Sequence, residues 1–168
     1  MADQIGKDRI VILADVSPSM AETDGGVRER KTRFVLLTEA LRGLPKEVVL
    51  ITFSGATWEV KSAADVRLDL VIGGTALHLA IEAAARHRPV RTIIISDGEP
   101  DSEPLARQAL DKLTGIVDVI YCGNPANSTA RNFLESLARA GAGGFYQTGD
   151  QVDVAKQLPA VVAGLLKS

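Results

Sequence analysis

Residues 9–20 read RIVILADVSPSM, and the fold turns on how that stretch is taken. An unbroken apolar run from Ile10 to Ala14 is closed by Asp15. A strand covered on both faces has this continuous pattern, whereas a strand with one wet face alternates. Polar chemistry then takes over: Asp15, Ser17 and Ser19 alternate with Val16 and Pro18. Alternate side chains of an extended backbone point to one side, so these three oxygen-bearing groups can be aimed together.

Outward from this strand, EVVLITF (47–53), VRTIIIS (90–96) and IVDVIYC (116–122) repeat the buried-strand pattern. TWEVK (57–61) alternates and follows SGA, which predicts a hairpin and a half-exposed antiparallel edge strand. GFYQT (144–148) predicts a short last strand. Helical periods fill the intervals. KTRFVLLTEALRGL (31–44) puts Phe34, Leu37, Leu41 and Leu44 on one stripe, with Arg33, Glu39 and Arg42 pointing elsewhere. Further helices are predicted from Ala76 to His87, near 103–113 with Leu105, Ala109, Leu110 and Leu113 inward, and near 128–140. A last one near 152–166 is kinked by Pro159. The alternation predicts an α/β fold. It is a Rossmann-like, doubly wound, mostly parallel six-stranded sheet in the order 3-2-1-4-5-6, with one antiparallel edge strand and flanking helices.

The 168 residues suit a single domain over 1–168. Nineteen Lys and Arg against 21 Asp and Glu leave no basic excess to attract nucleic acid or an anionic membrane. The one cysteine, Cys122, ends an apolar run, which predicts a buried thiol and excludes an intrachain disulfide. MADQIGKDRI lacks the apolar core of a signal peptide, and no apolar run approaches the ~20 residues of a membrane span. The expectation is a soluble, cytoplasmic protein.

In the predicted topology the strand order reverses between the first and fourth strands, and their carboxyl ends border the binding crevice. Asp15 ends one of these strands and Asp97 the other. Neighbouring strands lie ~4.8 Å apart, close enough for two carboxylates to share a ligand. Thr75, in GGTALHLA, follows two glycines that permit a tight turn. Each residue also has a plainer role: Thr75, Ser17 and Ser19 suit helix caps, and Asp97 in SDGEP suits a turn. Asp15 is harder to explain so, because an unpaired carboxylate among apolar neighbours is costly. Together, two carboxylates and three hydroxyls make a hard-oxygen site that suits Mg²⁺ or Mn²⁺ rather than zinc. Hydroxyls are neutral, so they hold a cation without quenching its charge. Around this cluster, Glu22, Asp24, Glu99, Asp101 and Glu103 read as a solvated acidic rim, and RERKTR (28–33) as a solvated helix face. Trp58 is expected to pack against the sheet or a helix.

DVSPS, the GGT threonine and SDGEP together resemble the three pieces of the metal-ion-dependent adhesion site of von Willebrand factor type A domains, and the resemblance covers essentially the whole chain. It implies a metal site of Asp15, Ser17, Ser19, Thr75 and Asp97. The three hydroxyls would supply oxygens directly or through water, the carboxylates would act mainly through water and hydrogen bonds, and an Asp or Glu of a protein partner would complete the octahedron. Pro18 stands where many such domains carry glycine, and it fixes φ and removes an N–H. The function implied is a non-enzymatic, Mg²⁺- or Mn²⁺-dependent adaptor that binds protein rather than nucleic acid or membrane. Its implied setting is an intracellular bacterial-type assembly built around an AAA+ ATPase, a chelatase-like system or a stress response. The alternative is a Mg²⁺-dependent phosphohydrolase or phosphoacceptor on a similar sheet. A dehalogenase-like enzyme wants a second aspartate where Ser17 stands, and a receiver-like phosphoacceptor wants a lysine that IVDVIYCGNP lacks. No G-x-S-x-G elbow and no G-x-x-x-x-G-K-[ST] loop is present.

Overall fold

Six segments form the strands of one sheet: β1 (Ile10–Asp15), β2 (Val49–Phe53), β3 (Thr57–Val60), β4 (Arg91–Ser96), β5 (Ile116–Tyr121) and β6 (Ala142–Gln147). The computed structural model describes residues 9–22, 32–45, 47–124 and 126–147, together with 160, 163 and 164. The strand order is β3-β2-β1-β4-β5-β6, as the sequence predicts. Only the β2–β3 pairing is antiparallel. Four helices are described: α1 (Arg33–Leu41), α2 (Leu77–Ala85), α3 (Glu103–Leu110) and α4 (Ser128–Ala140). The helix expected near 152–166, with its kink at Pro159, lies outside the described residues apart from 160, 163 and 164.

Strand alternation sorts the core into two layers. Val11, Leu13, Ile51, Phe53, Ile94 and Val119 face α2, α3 and α4. Ile10, Ile12, Ala14, Leu50, Ile93 and Ile95 face the other way, where Leu36, Leu37, Ala40 and Leu41 of α1 cover them. Both faces of the central strands are therefore dry, which is why β1 and β4 read as continuous apolar runs. Local chemistry fixes the helix starts. Thr32 Oγ1 accepts from the Val35 N–H (3.1 Å) at α1, Ser102 Oγ from the Leu105 N–H (3.2 Å) at α3, and Asn127 Oδ1 from the Ala130 N–H (3.3 Å) at α4.

Two helix faces differ from expectation. The buried stripe of α1 is Arg33, Leu36, Leu37, Ala40 and Leu41, while Phe34 and Leu44 are only half-buried. Arg33, expected to point elsewhere, is thus turned into the protein. On α3 Ala109 is buried together with Ala106, and Leu110 and, just past the helix end, Leu113 pack half-buried against the core as expected, but Leu105 is exposed. α3 packs against α2, and small side chains on that face let the two helices lie close, which leaves the larger leucine outside.

Candidate functional site

The strand order reverses between β1 and β4, whose pairing brings Ala14 opposite Ile95. The next residues, Asp15, Ser96 and Asp97, therefore meet at the carboxyl edge of the sheet. Asp15 is fully buried. Its Oδ1 accepts the Ser17 backbone N–H (2.8 Å) and its Oδ2 accepts the Ser96 hydroxyl (2.8 Å). After Ser17 the chain makes a single 3₁₀ turn, Pro18–Ala21, with Pro18 at its start. A proline suits that position, because its fixed φ matches the turn and its missing N–H is not needed there.

The turn carries Ser19 back over the strand ends. Ser17 Oγ and Ser19 Oγ lie 3.0 Å apart, and Ser19 donates its proton to Asp97 Oδ1 (2.9 Å). Ser17 stands at the N-cap position of this turn, but no side-chain cap hydrogen bond forms there. Asp97 is buried rather than a surface turn residue. Its Oδ2 accepts from Arg33 Nη1 at 3.0 Å, and that nitrogen also lies 3.4 Å from Glu22 Oε2. Burial, and then the neighbouring Asp97 charge, push the Asp15 carboxyl up to about 6, against the pull of the Ser17 and Ser96 hydrogen bonds. Two buried carboxylates and one guanidinium leave the cluster short of positive charge.

Thr75 reaches the same place from the loop between β3 and α2. Asp69 anchors that loop: its carboxylate accepts the N–H groups of Val71 (2.9 Å), Ile72 (3.0 Å) and Gly73 (2.9 Å) and the Ser54 hydroxyl (2.5 Å). The Ser54 hydroxyl foremost, with these N–H groups, holds the Asp69 carboxyl down at about 2. Gly73 and Gly74 then take φ of 73° and 80°, a region glycine enters without strain. The N-cap of α2 is Ala76 and no side chain caps it, so the cap role open to Thr75 in the sequence is not the one it has. Thr75, Ser19 and Asp97 line one cavity of about 340 Å³, with Glu22, Arg33 and Glu99 beside them.

Four of the residues singled out in the sequence, Asp15, Ser17, Ser19 and Asp97, are therefore joined by hydrogen bonds, and Thr75 lines a cavity with two of them, Ser19 and Asp97. By chemistry the donor set, hydroxyl and carboxylate oxygens, suits a hard cation, although among the described residues no group of three or more His, Cys, Asp or Glu is placed to hold a metal ion of any kind. Asp24 and most of RERKTR lie outside the described residues. Trp58 is half-exposed beside a second cavity of about 380 Å³ that Asp69 also lines, instead of being covered. Cys122 is buried, as expected.

Three contributors escape a sequence reading: Ser96, Asp101 and Arg33. Ser96 hides in a strand run. Asp101 N–H donates to Thr75 O (2.8 Å) and its Oδ1 accepts the Thr75 N–H (2.9 Å), although it reads as one more rim carboxylate. Arg33 carried a usable signal. Positions 33, 36, 37, 40 and 41 follow the spacing of a single helix face, so an arginine heading that stripe is aimed inward.

No family model and no curated protein matches the sequence. Solved structures do match. A von Willebrand factor type A protein from Catenulispora acidiphila superposes with a TM-score of 0.71 at 18% identity, over 95% of this chain and 42% of that one. The human COPII-coat protein Sec24c superposes with a TM-score of 0.60 at 13% identity, over 99% of this chain and 33% of that one. The chain thus spans less than half the length of either neighbour. At these identities the likeness establishes a von Willebrand factor type A-like fold. Among the described residues no helix is long and apolar enough to cross a membrane.

Proposed function

We propose that this domain, on a fold often used for protein–protein interaction, is a cation-dependent protein-binding module. Asp15, Ser17, Ser19, Thr75 and Asp97 would hold Mg²⁺ or Mn²⁺ at the carboxyl edge of β1 and β4. When bound, the ion supplies the positive charge that recognises an Asp or Glu side chain of a partner protein. The observation that carries this reading is the fully buried Asp15 set beside buried Asp97, with the Asp15 carboxyl pushed up to about 6. Such a pair is unfavourable by itself and becomes favourable once a cation shares it. The chain does the positioning: Ser96 and the Ser17 N–H hold the Asp15 carboxylate, while Ser19 and Arg33 hold Asp97.

Leu70, Val71 and Ile72 are 71%, 93% and 57% exposed, and they immediately precede the glycines of the Thr75 loop. They supply apolar area against which a partner could seat its chain around an acidic side chain. An enzymatic reading has less support. A dehalogenase-like phosphohydrolase wants a second aspartate two residues after its nucleophile, and Ser17 stands there. The setting that goes with the adaptor reading is a cytoplasmic assembly of the AAA+ ATPase, chelatase-like or stress-response kind.

Titration calorimetry with MnCl₂ tests the site, and affinity capture from host lysate in Mg²⁺ and in EDTA tests its use. Wild type should bind one Mn²⁺, and folded Asp15→Ala none. A protein lost both with EDTA and with Asp15→Ala supports the reading. The same proteins in all three lanes would overturn it.

A further inference from the structure

Two loops carry the candidate ligands that do not lie on β1 or its turn. One holds Thr75 and the other follows Asp97 at the end of β4. Neither loop is part of the sheet, and the Thr75 loop runs through two consecutive glycines at positive φ. Glycine loses more backbone freedom on ordering than any other residue, so a hydroxyl presented from such a segment needs an external hold. Asp69 secures residues 71–73, and Ser54 O secures the Ala76 N–H (2.6 Å) on the far side. Between those anchors, Asp101 grips Thr75 twice. Its N–H donates to Thr75 O (2.8 Å) and its Oδ1 accepts the Thr75 N–H (2.9 Å). Its Oδ2 packs so close to Gly74 that a Cβ there would sit 3.1 Å away.

We propose that Asp101 is the positioning residue of the cation site: through this two-point clasp it ties the Thr75 loop to the Asp97 loop, so that both loops present their oxygens as one unit. The proposal rests on the cation-binding reading of the same site. Asp101 need not touch the ion. Its side chain acts through the Thr75 backbone, ordering the hydroxyl before binding instead of during it, and that preorganisation appears as affinity. A clasp of this kind needs an acceptor oxygen, not a charge. An asparagine Oδ1 can accept the same N–H, whereas alanine keeps only the backbone N–H bond to Thr75 O and offers no acceptor.

The test is titration calorimetry with MnCl₂ on the whole chain, with the Thr75 amide followed by NMR hydrogen exchange in EDTA. Asp101→Ala should bind Mn²⁺ about tenfold more weakly than wild type, the effect of one well-placed hydrogen bond to a charged group. Its thermal midpoint should stay within about 3 °C of wild type, because the Asp69 and Ser54 anchors remain. Asp101→Asn should restore the affinity. In a Thr75→Ala background, Asp101→Ala should add no further loss, since there is no hydroxyl left to place. The Thr75 amide should exchange slowly in wild type and Asp101→Asn, and fast in Asp101→Ala. Equal Mn²⁺ affinity for wild type and Asp101→Ala overturns the proposal while the cation site stands. Wild type that binds no Mn²⁺ overturns the cation site and the positioning role with it, and the amide exchange then reports whether the clasp itself exists.

Discussion

Asp15→Asn should make the metal-free protein more stable at neutral pH, and the gain should depend on pH in a defined way. The Asp15 carboxyl is raised from an ordinary value of 3.8 to about 6, first by burial and then by the Asp97 charge. A carboxyl whose folded pKa lies above its unfolded one contributes its stability in full below pH ~4, and that contribution is lost as pH rises through about 6. At 1.36 kcal/mol per unit, the ionised group lowers stability by ~3 kcal/mol at pH 7.5, of which ~1 kcal/mol is already lost at pH 4.5. Asparagine has the same shape and no charge. Its Oδ1 can accept the Ser17 N–H, and its Nδ2 can donate to the Ser96 hydroxyl, which then accepts instead of donating. The raised value already includes the Ser17 and Ser96 hydrogen bonds, so the net gain at pH 7.5 should be ~3 kcal/mol. Urea unfolding in EDTA, at pH 4.5 and pH 7.5, measures this directly. The advantage of Asp15→Asn over wild type should grow by ~2 kcal/mol between the two. Saturating Mg²⁺ should then raise wild type and leave the variant unmoved. A variant no more stable than wild type at pH 7.5, or an advantage equal at both pH values, would refute the argument that Asp15 is held against its electrostatic preference.

Arg33→Met should move stability and affinity in opposite directions. Leaving Asp97 buried without its guanidinium should lower metal-free stability by ~3 kcal/mol, while loss of the competing positive charge should tighten Mn²⁺ binding at least about tenfold, and calorimetry showing equal or weaker binding would contradict it. Gly115→Ala should destabilise the fold by about 2 kcal/mol or more, because Gly115 sits at φ +80° and a Cβ there would run into the Val90 carbonyl. Gly43→Ala, with nothing within 4 Å, is its control, and equal urea midpoints for the two variants would count against the turn geometry.

The sheet could be read along the chain because its logic is local. β1 is apolar up to its closing Asp15, β2 and β5 are apolar but for Thr52 and Asp118, β4 has an apolar centre in Ile93–Ile95, β3 alternates after a short turn, and the helical spacing between strands leaves a right-handed parallel winding as the economical arrangement. The register of polar residues at strand ends also follows from sequence. Asp15 closes β1 and Asp97 follows β4, so neighbouring parallel strands must set them side by side. Helix faces were less legible. On α3 the exclusion of Leu105 from the inner face in favour of Ala106 depends on how closely α2 approaches, which no periodicity within α3 records.

What the sequence determines by itself, then, is the α/β sheet and the meeting of Asp15 and Asp97 at its reversal point. Hydrophobic period and strand-end position carry that much, because each is a property of a short segment. What only the tertiary structure decides is the state of that cluster. Arg33 comes from another helix to pair with Asp97, Ser96 crosses to Asp15, and Asp101 reaches back to clasp Thr75. Each of these contacts joins residues at least 26 positions apart, and the Ser96 contact spans 81. Coulomb energy and desolvation depend on distance in space and on what excludes water, so the charge balance of the site exists only once the chain has closed around it.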